Sequence, residues 1–96
     1  MSDDIKELSA ADFARAIPRR QRERIIRGEL AGGDDIVALR RFTGLTQPAF
    51  AKAFGISLTT LRNWEHGRRN PNGPALALLR IAARHPRVLR ENAAAA

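Results

Sequence analysis

Two short helical stretches separated only by the residues "GIS" constrain this chain more than any other feature of its sequence. In the first, "TQPAFAKAFG", Thr46 is suited to cap the start, a proline follows in the first turn, and Gly55 ends the helix. The second begins after Ser57, another capping residue, and ends at Gly67. Because so short a link keeps the two helices in contact, the pattern predicts a helix-turn-helix unit.

The spacing of small and apolar residues in this unit meets several independent steric requirements. If Gln47 is its first position, Ala51 is the fifth, where the helices cross closely and a larger side chain would separate them. Gly55 is the ninth position and lies in the turn. Apolar residues recur at helical spacing on the inward side. The predicted core of the unit comprises Phe50, Ala51, Phe54, Ile56, Leu61 and Trp64.

The second helix of the unit has two chemically different faces. One side carries the apolar residues just assigned to the core, and the other carries only hydrogen-bonding side chains: Thr59, Arg62, Asn63 and His66. A merely solvated face more often shows Glu and Lys pairs, whereas Thr, Asn and Arg match the base edges in the DNA major groove. Because base-reading residues cluster near the N-terminus of such helices, Thr59, Thr60 and Asn63 are stronger candidates than His66.

Charge is distributed unevenly along the chain. The net charge is +7, and 15 of the 17 basic residues are Arg. Residues 1–35 contain seven basic and eight acidic side chains, a balance of −1, whereas residues 36–96 contain ten basic and two acidic ones, a balance of +8. A positive field concentrated on one small domain favours a polyanionic partner, although basic faces are often only solvated. Arg suits planar contacts with phosphate and guanine.

The remainder of the chain also has helical patterns, and it has no strand pattern. Helices are predicted over residues 9–17, over about Pro18 to Arg27, from Asp35 to Gly44, and over "PALALLRIAARH", with a short last turn in "PRVLREN". In "PALALLRIAARH" the residues predicted to face the core are Leu76, Leu79, Ile81 and Ala82. The chain is therefore predicted to be all-α.

The hinge-like stretch "AGGDD" divides the chain. Residues 1–33 are predicted to form an N-terminal helical extension, residues 34–92 the helix-turn-helix domain, and residues 93–96 a tail. The extension carries the apolar anchors Ile5, Leu8, Phe13 and Ile17. Because so short a helical segment cannot bury such residues by itself, they must pack on their own domain, on a second subunit or on another protein.

Residues 36–85 resemble the helix-turn-helix domain of the lambda-repressor/Cro-like (Xre) family, and especially the HigA-type antitoxins. The resemblance lies in "GLTQ", "GIS", "TLRNWEHGRR", "GPALALLRI" and the final "HP". It implies an all-α, five-helix domain that binds a palindromic operator as a homodimer, with a recognition helix over Ser57–His66. It also implies that the extension contacts a toxin protein, so the anchors above become candidate partner contacts.

The same resemblance assigns roles to individual residues. Gln47 falls at a phosphate-contacting position, and Arg40 and Glu65 fall at two positions that the family joins by an ion pair. Leu58 falls at a base-reading position where a polar residue is more common. From the residues alone Leu58 either packs inward or meets a thymine methyl. The predicted base contacts are Leu58, Thr59, Thr60, Arg62 and Asn63, and the predicted phosphate contacts are Gln47, Lys52, Ser57, Arg68, Arg69 and Asn70.

Other classes of function find little support in the sequence. Cysteine is absent, the two histidines have no ligand spacing, and no carboxylate pair, catalytic triad or phosphate loop is present, so we expect no metal, no cofactor and no enzymatic activity. No signal peptide or membrane span is visible, which predicts a cytoplasmic protein.

We therefore expect a DNA-binding transcriptional regulator. The favoured form is the antitoxin of a type II toxin–antitoxin pair that represses its own operon and neutralises a RelE/HigB-like toxin. The alternatives are a stand-alone Xre-type regulator and a protein-binding module whose DNA binding is secondary.

Overall fold

The computed structural model describes residues 16–95, which contain six α-helices and no strand. The helices are α1 (Arg19–Ile26), α2 (Gly33–Thr43), α3 (Gln47–Phe54), α4 (Leu58–Glu65), α5 (Pro74–Arg84) and α6 (Pro86–Ala95). The all-α class is thus confirmed for this part of the chain. The five-helix count implied by the resemblance is not confirmed, because six helices are present in the described residues and α2 begins at Gly33, within the predicted extension. Nearly all of the predicted helix over residues 9–17, with Ile5, Leu8 and Phe13, lies outside the described residues.

Helices α3 and α4 form the helix-turn-helix unit, and local side chains determine their ends. The Thr46 hydroxyl accepts a hydrogen bond from the Ala49 N–H at the start of α3. Gly55 ends this helix with a φ of 71°, a left-handed conformation that costs glycine little. At the start of α4 the Ser57 hydroxyl accepts from the Thr60 N–H at 3.0 Å. The turn between the two helices therefore takes only three residues.

An aromatic cluster joins these two helices to each other. The Phe50 and Phe54 rings stack with centroids 4.5 Å apart, and the Phe54 and Trp64 rings meet edge to face at 6.5 Å. Of the six residues predicted to form this core, five are buried and Ile56 is half-buried against them. Fully buried aliphatic residues from the other helices complete the core: Ile25, Ile36, Leu39 and Leu79.

Helix α1 packs on α5 and α2, and its Ile25 lies in the same core as the other helices. Arginines join α1 and α5 at both ends. Arg22 Nε donates to the Ala83 carbonyl at 2.8 Å, and Arg80 Nε donates to the Ile26 carbonyl at 2.8 Å. Ile17 is half-buried against the same core. In this part of the extension, packing on the chain's own domain is the arrangement observed.

Helix α6 is longer than the short turn predicted after Pro86, since it continues to Ala95. Its side chains bind the carbonyl ends of two other helices. Arg90 donates to the Thr43 carbonyl of α2 at 3.1 Å, and Asn92 donates to the Ala53 carbonyl of α3 at 2.7 Å. These bonds satisfy carbonyl groups that a helix end leaves without a partner, and they anchor α6 along its length.

One prediction about α5 is wrong. Ile81 was expected to face the core, but its side chain is 48% exposed. The buried positions are Leu79, Ala82 and Ala83, so the inward face of α5 is rotated away from Ile81. The apolar stripe of this helix is wider than the core can cover, and its outer edge stays in contact with solvent.

Candidate nucleic-acid interface

Helix α4 lies against the domain by one face only. It packs on α2 and α3 through Leu61 and Trp64, which are 0% and 5% exposed. Thr59 and Arg62 are exposed on the opposite side. The structure therefore leaves an uncovered row of polar side chains on a helix whose position the core fixes.

The N-terminal end of α4 uses some of its predicted site residues for capping. The Ser57 hydroxyl donates to the Thr60 hydroxyl at 2.9 Å while it accepts from the Thr60 backbone N–H. Thr60 is half-buried, and its side chain turns toward the cap, whereas Thr59 is free of this bond. Leu58 is also half-buried, so its placement agrees with either of the two alternatives that the sequence left open.

The C-terminal end of α4 leads into an exposed basic loop. The backbone carbonyl of Asn63 accepts from the N–H groups of Arg68 at 2.9 Å and Arg69 at 3.3 Å, so the chain folds back at this point. The side chains of Arg68, Arg69 and Asn70 are exposed, and that of Asn63 is half-buried. Lys52 on α3 and Ser57 are exposed as well.

Glu65 connects three helices. Arg40 Nε of α2 lies 2.7 Å from Glu65 Oε2, and the side chains are 16% and 5% exposed. The Gln47 amide of α3 donates to Glu65 Oε1 at 2.8 Å. Gln47, predicted as a phosphate contact, is bonded in this structure to the carboxylate that orients α4. A buried ion pair of this kind fixes geometry more than it adds net stability.

A second buried carboxylate was not predicted from the sequence. Asp35 is 3% exposed and accepts from Arg24, from the Gln21 amide at 2.8 Å and from the Ala31 N–H at 2.7 Å. Burial opposes the charged form, but the bonds from Arg24, Ala31 and Gln21 together with the Arg24 charge outweigh it, so the pKa of Asp35 is lowered. The pair with Asp35 likewise raises the pKa of Arg24. This cluster fastens α1 to the start of α2.

Helix α2 approaches the end of α4 closely at Gly33. A Cβ atom placed on Gly33 would overlap the Glu65 carbonyl oxygen and would lie 2.9 Å from that of Trp64. No such contact exists at Gly32, where a Cβ would meet no atom within 4 Å. The packing of α2 on α4 therefore requires a glycine at residue 33. The sequence pattern had suggested only a hinge at this position.

Between residues 16 and 95 no cluster of His, Asp and Glu side chains has the arrangement needed to hold a metal ion. No helix in that range is long and apolar enough to cross a membrane.

The fold and the exposed face of α4 define a helix-turn-helix protein. Residues 7–92 match the model of a family described as the antitoxin component of a bacterial toxin–antitoxin system, MqsA. Since this match covers most of the chain, the chain belongs to the MqsA antitoxin family.

Individual relatives agree with this assignment. The chain is 43% identical over 56 residues to antitoxin HigA-2 of Vibrio cholerae serotype O1, covering 58% of this chain and 54% of the relative. It is 32% identical over 57 residues to YiaG, an uncharacterised HTH-type transcriptional regulator of Escherichia coli K12, covering 59% of each. The predicted resemblance to helix-turn-helix antitoxins is confirmed. The chain spans a little over half the length of these curated relatives, and no solved structure matches it.

Proposed function

We propose that the chain is a sequence-specific DNA-binding transcriptional regulator in which the outward face of α4 reads bases. The exposed Thr59 and Arg62 carry this proposal together with the half-buried Asn63 beside them, because the packing of Leu61 and Trp64 fixes the helix that bears them. Arg is suited to guanine and Asn to adenine in the major groove. The half-buried Leu58 would meet a thymine methyl at the edge of this row.

Phosphate contacts would come from the residues that flank α4. Arg68, Arg69 and Asn70 are exposed directly after it, and Lys52 and Ser57 are exposed before it. Gln47 would add a contact from the start of α3 while it holds Glu65. Such contacts set affinity and its dependence on salt rather than sequence preference.

The proposed regulator acts as a homodimer on a two-fold symmetric operator. A single recognition helix reads only a few base pairs, and dimers of such proteins place two of these helices in major grooves one helical turn apart. Selection of binders from a random duplex library by the full chain tests the proposal. We expect enrichment of an inverted repeat; a selected pool that stays random in sequence would contradict it.

We further propose that the regulator is an antitoxin that represses its own operon and neutralises a RelE/HigB-like toxin, without enzymatic activity of its own. Membership of the MqsA antitoxin family and the similarity to HigA-2 support this proposal. The similarity to YiaG supports the alternative of a stand-alone regulator.

Inducible expression of the reading frame next to this one, with and without the full chain, separates these two alternatives. Growth arrest that the chain relieves is the result expected for an antitoxin. Growth that is unaffected by the neighbouring frame would instead favour the stand-alone regulator.

A further inference from the structure

A buried polar network joins α1 to the start of α2 and supplies none of the proposed DNA contacts. Its centre is the Asp35 carboxylate, which is 3% exposed. Arg24 donates to both carboxylate oxygens, at 3.0 and 3.1 Å, and Gln21 donates to one of them at 2.8 Å. The Ala31 N–H donates to the other, and Arg24 also donates to the Glu29 carbonyl at 3.0 Å. The network therefore holds the loop between α1 and α2 as well as the two helices.

Helix α1 is fixed independently of this network, because α5 holds it. Ile25 is fully buried, and Arg22 and Arg80 join the two helices at opposite ends through bonds to backbone carbonyls. A variant that lacks the Arg24 side chain would therefore keep α1 on α5. What it would lose is the attachment of the start of α2 to α1.

Helix α2 extends this attachment to the recognition helix, since it packs on both α1 and α4. Its first residue, Gly33, lies so close to the carbonyl groups of Trp64 and Glu65 that a Cβ atom would overlap them. Later in the same helix, Arg40 bonds the Glu65 side chain at 2.7 Å. Because close-packed backbone atoms cannot yield as the end of a side chain does, a shift at the start of α2 would displace the end of α4.

The loop between α1 and α2 also borders the region proposed to contact DNA. It lines a cavity of about 250 Å³ together with Trp64 of α4 and with Asn70 and Pro71 of the loop after α4. Displacement of this wall of the cavity would change the surroundings of Trp64. Since Trp64 is the single tryptophan of the chain, its fluorescence reports on this place in the fold.

We propose that Arg24 and Asp35 are positioning residues for DNA recognition: they hold the start of α2, which in turn holds the end of α4 in the orientation that reads bases. This inference rests on the proposed function, because that function assigns base reading to α4. Neither residue has to touch DNA, since Asp35 is buried and the Arg24 guanidinium is bonded within the domain. A helix that precedes α2 thus contributes to sequence preference without supplying a base contact.

Fluorescence anisotropy of the full chain tests this proposal with a duplex selected from the random library and a scrambled one. Arg24→Ala should lower the ratio of the two affinities about fivefold. Arg27→Ala removes the same charge from an exposed pair with Glu29 and should leave the ratio unchanged. The temperature is one at which circular dichroism shows both variants to be folded, so a loss of stability alone does not change the ratio. If Arg24→Ala does not fold, Gln21→Ala, which removes only the amide bond, should lower the ratio to a smaller extent.

Trp64 emission provides a second readout that requires no DNA. Arg24→Ala should move the emission maximum to longer wavelength, because the loop that lines the same cavity is no longer held, whereas Arg27→Ala should not. A folded Arg24→Ala with the affinity ratio of wild type would overturn the positioning role, whatever its stability. A wild-type chain that selects no sequence from the library would overturn the proposed function instead. In that case the emission alone decides whether the network holds the end of α4, and an unchanged maximum would overturn that hold as well.

Discussion

At the scale of single residues, Glu65 is the charged group on which three helices converge. It accepts from Arg40 of α2 and Gln47 of α3 while it belongs to α4. The exposed face of α4 takes its direction from this contact, because rotation of α4 would break both bonds. Removal of one partner leaves the other ion buried without compensation, which costs far more than the intact pair contributes.

We therefore expect Arg40→Ala to lower the free energy of unfolding by about 3 kcal/mol, because it leaves the Glu65 carboxylate with only Gln47. Urea denaturation measures the change. The control is Arg41→Ala, since Arg41 is the exposed neighbour on the same helix and should change stability by no more than about 0.5 kcal/mol. Equal effects of the two substitutions would show that the buried pair does not hold α4.

Asp35 gives a second expectation, which concerns pH. Its pKa is lower in the folded state than the ordinary value of about 3.9, so its stabilising contribution is present above that value and is lost as the pH falls through the folded pKa. Asp35→Asn should lower the free energy of unfolding by about 2 kcal/mol at pH 7, because charged acceptors make the stronger hydrogen bonds. The difference in unfolding free energy between Asp35→Asn and wild type should become smaller below about pH 4.

Urea midpoints between pH 7 and pH 3 test this expectation. Asp34→Asn changes the exposed carboxylate next to it and should show no such narrowing. If the difference in unfolding free energy between wild type and Asp35→Asn stays constant from pH 7 to pH 3, the charge of Asp35 contributes nothing to stability.

At the scale of helices, the contact between α2 and the end of α4 admits no side chain. Gly33→Ala would place a methyl group against backbone carbonyls of Trp64 and Glu65, which cannot move like the end of a side chain. We expect a loss of about 1–3 kcal/mol in unfolding free energy. Thermal melting compares it with Gly32→Ala, which adds the same methyl group in open space. If both variants have the same melting temperature, the close approach of α2 and α4 is contradicted.

Helix boundaries in this chain were largely predictable because local residues determine them. Thr46, Gly55 and Ser57 cap or end their helices through bonds within a few positions. Apart from the Arg40–Glu65 pair, which was expected only from the family resemblance, the contacts between helices were not predictable, because they join residues far apart in sequence. Arg22 and the Ala83 carbonyl are separated by 61 positions, and no local pattern relates them.

The candidate site was predictable in part, because some of its features follow from local sequence and others depend on tertiary packing. The division of α4 into inward and outward faces follows from helical periodicity, so the exposure of Thr59 and Arg62 agrees with it. The roles of Asp35 and Gly33 depend on tertiary packing, and the sequence indicated only a hinge at these positions. The exposure of Ile81 was missed, although the width of the apolar stripe on α5 was a usable sign.

At the scale of the whole molecule, arginines of α1 take part in packing, whereas the positive charge after residue 35 is exposed. Two arginines of α1 are engaged within the domain: Arg22 at the end of α5 and Arg24 with Asp35. The excess of positive charge after residue 35 remains exposed around α4 and along α5 and α6. DNA binding would therefore be strongly salt-dependent, since each neutralised phosphate releases counterions.

In the proposed regulator the outward face of α4 reads sequence, while the loop after it only binds phosphate. Fluorescence anisotropy with a selected and a scrambled duplex, at several salt concentrations, tests it most directly. Asn63→Ala should lower the ratio of the two affinities about tenfold, as expected for one lost base contact. Arg69→Ala should weaken binding to both duplexes equally and reduce the salt slope by about 1. If the two substitutions change the ratio and the slope alike, the claim is wrong.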